Sequence, residues 1–136
     1  MEKVFIDADV ILDLLEQRKD FLEDATSLFA LVEERKIAAF VSPLIIANLY
    51  YILRKKTDHA RAHELLHRLR LLVRILPVTE KTIDLALTSA FSDFEDAIQY
   101  YAALEHAIDC IITRNKRDFK KSEIPVYTPS EFLQML

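Results

Sequence analysis

A chain of 136 residues, 51% hydrophobic and 29% charged, has the makeup of one domain (residues 1–136) with an ordinary core. Glycine is absent, which excludes the phosphate loops and dinucleotide fingerprints that need glycine for close backbone approach. Cys110 is the only cysteine, so an intramolecular disulfide and a cysteine-rich zinc site are excluded, and no apolar run approaches the ~20 residues of a membrane span. With no signal-peptide profile at the N-terminus, a cytoplasmic protein is the expectation.

In chain order, Val4-Phe5-Ile6 reads as a short buried strand that runs directly into Asp7 and Asp9, and Val10 to Glu16 as a helix. A second helix is expected from Leu22 to Glu34, with apolar residues at 25, 28, 29 and 32. "IAAFVS" is the next strand, and Pro43 opens a helix carrying Ile46, Leu49, Tyr50 and Leu53 on one side. Asp58 caps a helix to about Leu71, a strand follows near "VRILPV", and Thr79 caps "EKTIDLALTSAF". Ser92 with Glu95 reads as a capping box for "FEDAIQYYAALEHA". "CIIT" and "VYT" are the last strands, and Pro129 opens the last helix. Strands alternate with helices and no two are joined by a hairpin-length turn, the pattern of an α/β fold with a mainly parallel sheet covered on both faces.

Sites in such sheets form beyond the carboxyl ends of the strands, near the point where strand order reverses. Asp7 follows the first strand, Asn115 and Asp118 follow "CIIT", and Asp96 opens the helix before it. If those two strands are neighbours, these groups converge. Carboxylates gathered without cations repel one another unless a divalent ion binds, and Mg²⁺ takes a few carboxylates plus waters. Two enzyme classes open on such a strand: haloacid-dehalogenase-like phosphatases and metal-dependent nucleases. The phosphatase also needs a late Gly-Asp acidic loop and room for a cap, and this chain has no glycine.

The segments "VFIDADVILDLL", "VSPLIIANLYYIL", "DFEDAIQYYAAL" and "CIITRNKRDF" with "IPVYTPSEFL" resemble, in order, the PIN-domain family of nucleases, which includes the VapC-type toxins of toxin–antitoxin pairs. The resemblance implies a three-layer α/β/α domain, an acidic cluster binding Mg²⁺ or Mn²⁺, and hydrolysis of RNA phosphodiesters. It also implies an antitoxin protein as partner and a homodimer. Carried over, Asp7, Asp96 and Asp118 are the metal-binding carboxylates, and Asn115 is an alternative occupant of the last role. Asp9 falls where the family usually has Asn and is assigned to orienting water or substrate. Asn48 departs from the pattern, standing where many members carry a second acid, and resembles a subgroup whose segment reads "ANxYYIL".

The charge is uneven. Arg54 to Arg74 carries a net +5 and Arg114 to Lys121 a net +4, on a protein of net −4. Arg114, Lys116 and Arg117 are therefore expected to meet an RNA backbone, against the plainer reading of solvated charge. His59, His63 and His67 sit beside an apolar stripe and read as helix surface, not as a zinc site. One tyrosine each of Tyr50-Tyr51 and Tyr100-Tyr101 is expected in the core, and Cys110 as an inert core thiol. The competing classes are a nucleic-acid-binding module of the same fold with faded chemistry, and a scaffold that only binds a partner protein.

Overall fold

The computed structural model describes residues 1–136. Five strands form one sheet: β1 (Glu2–Ile6), β2 (Ile37–Val41), β3 (Val73–Ile75), β4 (Cys110–Ile112) and β5 (Val126–Tyr127). Their spatial order is β3-β2-β1-β4-β5 and every pairing is parallel. Seven helices connect them: α1 (Ala8–Leu15), α2 (Leu22–Glu33), α3 (Pro43–Lys56), α4 (His59–Arg70), α5 (Glu80–Leu87), α6 (Phe94–Glu105) and α7 (Pro129–Gln134).

The β1 residues Val4, Phe5 and Ile6 are fully buried because β1 is the central strand, covered on both faces. At roughly 1.5–3 kcal/mol for each large apolar side chain removed from water, this strand anchors the core. Right-handed crossovers from β1 out to β2 and β3 put α1 to α4 on one face, and the long return from β3 to β4 puts α5 and α6 on the other. The packing agrees: α1 lies on α2 and α3, α7 on α2, and α5 on α6. The three-layer α/β/α expectation holds, and the first strand and "CIIT" are indeed neighbours, with Val4 opposite Cys110 and Ile6 opposite Ile112.

Caps define most helix starts. Ser42, Asp58, Thr79 and Thr128 accept bonds from backbone N–H groups three residues on, and Thr79 and Thr128 close full capping boxes with Thr82 and Glu131. The expected Ser92–Glu95 box is corrected: Asp93 is the cap of α6, and its Oδ1 accepts the Asp96 N–H at 2.9 Å. With the cap one residue later, the N–H that is capped is that of Asp96 instead of Glu95, and the Glu95 side chain takes no part in the cap. α1 starts two residues earlier than its apolar pattern suggests, because Asp7 is its cap.

Three helices end in left-handed residues: Gln17 (φ 52), Arg35 (φ 61) and Ala107 (φ 55). Each is followed by a long backbone return, Arg18 N–H to Asp13 O at 3.0 Å, Lys36 to Leu31 at 2.9 Å and Ile108 to Ala103 at 3.2 Å. These are glycine positions in most chains, filled here without glycine. Tyr100 is core and its hydroxyl accepts the Glu123 N–H, whereas Tyr51 is exposed. Cys110 is buried, and burial beside Glu2 pushes its thiol up to about 12, which keeps it unreactive.

Candidate active site

The switch in strand order falls between β1 and β4, and the acids gather beyond their carboxyl ends. β1 delivers Asp7 directly into the cap position of α1. Its Oδ1 accepts the Ala8 N–H at 2.8 Å and its Oδ2 accepts the Thr113 hydroxyl at 2.8 Å, while its own N–H donates to Ile112 O. Asp9, one residue into α1, turns toward the loop after β4. Its Oδ2 accepts from Arg114 N–H (3.1 Å), Asn115 Nδ2 (3.3 Å) and Thr113 Oγ1 (3.4 Å). Asp118 lies in a 3₁₀ turn, Lys116–Phe119, on that same loop. Asp96 is in the first turn of α6, where the N-terminus of the helix meets the cluster.

Three of these carboxyls are pushed above their ordinary range, each mainly by burial. Burial, then the neighbouring Asp9 carboxylate, pushes the Asp7 carboxyl up to about 6, although the bonds from Thr113 and Ala8 pull the other way. Burial, then Asp93, Asp7, Asp118 and Glu95, pushes Asp96 up to about 7. Burial also raises Asp9. No Lys or Arg lies within ion-pairing distance of Asp7, Asp9, Glu95, Asp96 or Asp118. Asp13 makes the contrast. It is buried to 1% exposure and fully paired, with Arg114 Nε and Nη2 on its two oxygens at 2.7 and 3.1 Å and Arg18 at 3.6 Å.

No three of these side chains are arranged to hold a metal ion by themselves. Asp118 acts electrostatically on both Asp7 and Asp96, and Asp7 on Asp96, so the three carboxyls are neighbours. An all-oxygen donor set of this kind is the chemistry that hard divalent ions such as Mg²⁺ take.

The basic residues divide differently from the expectation. Arg114 is committed to Asp13 and lies over the Phe21 ring at 3.8 Å, and Lys116 pairs with Glu131 at 3.0 Å. Arg117 pairs with no acid, and with Lys120 and Lys121 it lines a cleft of about 160 Å³ beside Asp118. Asn48 sits at the surface of α3 and donates to Glu95 Oε2 at 3.2 Å. Of the histidine row, His59 Nδ1 meets the Tyr50 hydroxyl at 2.7 Å, and no three-ligand metal group includes these side chains.

Thr113, Gln99 and Asp13 escaped the sequence reading, and Ser42 enters it only as the hydroxyl of a phosphatase. Thr113 is fully buried and binds Asp7; its signal was its place as the first residue after β4. Ser42 and Gln99 are buried together, Oγ to Oε1 at 3.4 Å, one α6 turn beyond Asp96. Asp13 showed no signal beyond being an acid on the apolar face of a helix.

Residues 3–117 match the family described as PIN domain. This chain belongs to the PIN-domain family. The ribonuclease VapC1 of Aquifex aeolicus (strain VF5) is 26% identical to this PIN domain over 138 residues, 98% of the chain and 94% of that protein. Among solved structures, VapBC2 from Rickettsia felis bound to a promoter DNA fragment superposes with a TM-score of 0.68 at 13% identity, covering 92% of this chain and 96% of that one. A toxin–antitoxin complex from Klebsiella pneumoniae gives a TM-score of 0.68 at 22% identity, covering 93% of this chain and 97% of that one. At these identities the superpositions establish the fold.

Proposed function

We propose that this PIN domain is a divalent-metal-dependent endoribonuclease acting as the toxin of a toxin–antitoxin pair. The observation that carries the reading is the convergence of Asp7, Asp96 and Asp118, all without a cationic partner, at the switch point of the sheet. Likeness to a ribonuclease VapC1 supports the substrate class, and the toxin–antitoxin complexes among the structural neighbours support an antitoxin protein as partner. A homodimer is proposed as well. No helix is long and apolar enough to cross a membrane.

A bound Mg²⁺ or Mn²⁺ supplies Lewis acidity at a scissile phosphate and lowers the pKa of water. The chain's own residues do the rest. Both oxygens of Asp7 are held, one by the Ala8 N–H and one by the Thr113 hydroxyl, so its carboxylate is ordered before any ion binds. Asp9 holds the β4 loop, and with it Asn115 and Asp118, against α1. Asp96, in the first turn of α6, brings a third carboxyl to Asp7 and Asp118. Arg117, Lys120 and Lys121 guide the RNA strand past Asp118.

The test is RNA cleavage in Mn²⁺ against EDTA, with Asp7→Asn as the control. Mn²⁺-dependent cleavage lost in the variant supports the reading. Salt-dependent RNA binding with no cleavage in either protein would make the chain a binding module instead. Because Asp7 is held in a repulsive cluster, Asp7→Asn leaves the melting temperature in EDTA unchanged or higher while abolishing its rise with Mn²⁺.

A further inference from the structure

The loop between α5 and α6 carries an aromatic side chain to the cleft beside Asp118. Phe91 is half-buried, its ring 4.9 Å from that of Tyr100 and 6.4 Å from those of Tyr101 and the fully buried Phe119. Phe119 ends the 3₁₀ turn that bears Arg117 and Asp118. Packing of Phe91 on Phe119 therefore sets an aromatic ring beside the cations and the carboxylate of that turn. Two cavities meet there. One is the cleft of about 160 Å³ walled by Arg117, Asp118, Lys120 and Lys121. The other, of about 380 Å³, has Tyr100, Tyr101 and Leu104 in its wall and shares Ala90, Phe91 and Lys121 with the first. None of the three cations pairs with an acid. The Tyr100 hydroxyl is engaged by the Glu123 N–H, whereas that of Tyr101 bonds no group of the protein.

A cationic cleft that opens into an aromatic cavity suits a single nucleic-acid strand, whose phosphates take the charges while its bases stack on π-faces. The volume of the second cavity falls within the roughly 300–1,000 Å³ of small-molecule sites. A duplex keeps its bases stacked on one another and has none to offer. Resting on the ribonuclease reading above, we propose that this second cavity receives one unpaired base of the RNA strand whose phosphates pass Lys121, Lys120 and Arg117 to reach Asp118. Phe91 and Tyr101 supply the stacking faces, and Ala90 and Leu104 the apolar rim. Stacking of this kind tolerates any base, so the subsite selects for an unpaired nucleotide and not for a letter. Cleavage then falls where the strand can splay a base out.

Fluorescence anisotropy of the full chain in EDTA tests this with two labelled probes of equal length. One is an oligoadenylate, the other the same ribose-phosphate chain without bases. The parent should bind the oligoadenylate about ten-fold more tightly. Tyr101→Leu keeps the apolar bulk and removes the π-face. It should bring the two affinities to within about two-fold, with the base-free strand bound as before, while Tyr101→Phe retains the preference. Ala90→Leu, at an exposed bend, narrows the cavity from its rim and should erase the preference too. Should Tyr101→Leu melt early, Ala90→Leu alone decides. A preference that survives in the deciding variant, or a loss that falls equally on both probes, overturns the subsite. Either result beside Mn²⁺-dependent RNA cleavage by the parent leaves the nuclease reading standing. A parent that neither binds nor cleaves RNA overturns both.

Discussion

Arg114 grips Asp13 with two hydrogen bonds, at 2.7 and 3.1 Å, while its own backbone N–H holds Asp9 at 3.1 Å. A basic residue beside the candidate site thus serves to lock the β4 loop onto α1. Its guanidinium pairs with the one fully buried acid of the chain and makes no ion pair with Asp7, Asp96 or Asp118.

Removing either partner of this pair should be costly. Asp13→Ala strands a guanidinium and Arg114→Ala strands a buried carboxylate, and breaking such a pair costs about 3 kcal/mol or more. Arg114→Lys should recover little, because an ammonium cannot reproduce the two-pronged contact. Urea unfolding measures all three. A loss under about 1 kcal/mol for Arg114→Ala would show that Arg18 suffices to keep Asp13 satisfied.

The pH dependence of the metal-free protein has a definite sign. Asp7 and Asp96 have folded-state values raised to about 6 and about 7, above the ordinary carboxylate range. Between pH 4 and 7 the folded protein therefore binds more protons than the unfolded one, so stability falls as pH rises through that window. In EDTA the melting temperature should be higher at pH 5 than at pH 8, and Mn²⁺ should reverse that order, since the ion competes with protons for the same oxygens. A melting temperature in EDTA that climbs from pH 5 to pH 8 would contradict the repulsive cluster.

RNA binding should weaken with salt, with a log–log slope of about 0.7 per phosphate contacted on single strands. Arg117→Ala, Lys120→Ala and Lys121→Ala together should flatten it, because these three cations line the cleft beside Asp118. Lys116→Ala should matter less, its ammonium being engaged by Glu131. Fluorescence anisotropy at several salt concentrations decides; equal slopes in parent and triple variant would place the RNA elsewhere.

Ala107→Gly should stabilise the protein by about 1 kcal/mol, because a β-carbon at φ 55 strains the turn that ends α6. Ala107→Val should destabilise it. Thermal melting in EDTA reads both, and a melting temperature lowered by glycine would mean that flexibility gained in the unfolded chain outweighs the strain relieved.

Much of the layout was readable from local pattern. Val4-Phe5-Ile6 is apolar on both sides, so a central parallel strand follows from it, and Asp7 stands out as the acid that ends it. The alternation of strand and helix then placed Asp118 and Asp96 near the same sheet edge. What stayed hidden depends on partners far away in sequence. The bond from Arg114 to Asp13 spans 101 residues, and nothing in "TRNKRDF" separates a guanidinium that seeks phosphate from one that will meet a buried acid. Ser92 and Asp93 compete for the cap position of α6, and one residue of register decided for Asp93. That shift also released Glu95, which sequence spacing had assigned to the helix cap.

The placement of β1 between β2 and β4 also sets an order of events. The β1–β2 contact closes a modest loop, whereas the contact of Thr113 with Asp7 closes one of 106 residues. Closing the longer loop costs more chain entropy, so the acids are expected to meet after β1 and β2 have paired. A divalent ion held by those acids should then slow unfolding and leave the folding rate unchanged, which folding kinetics in Mn²⁺ and in EDTA would read.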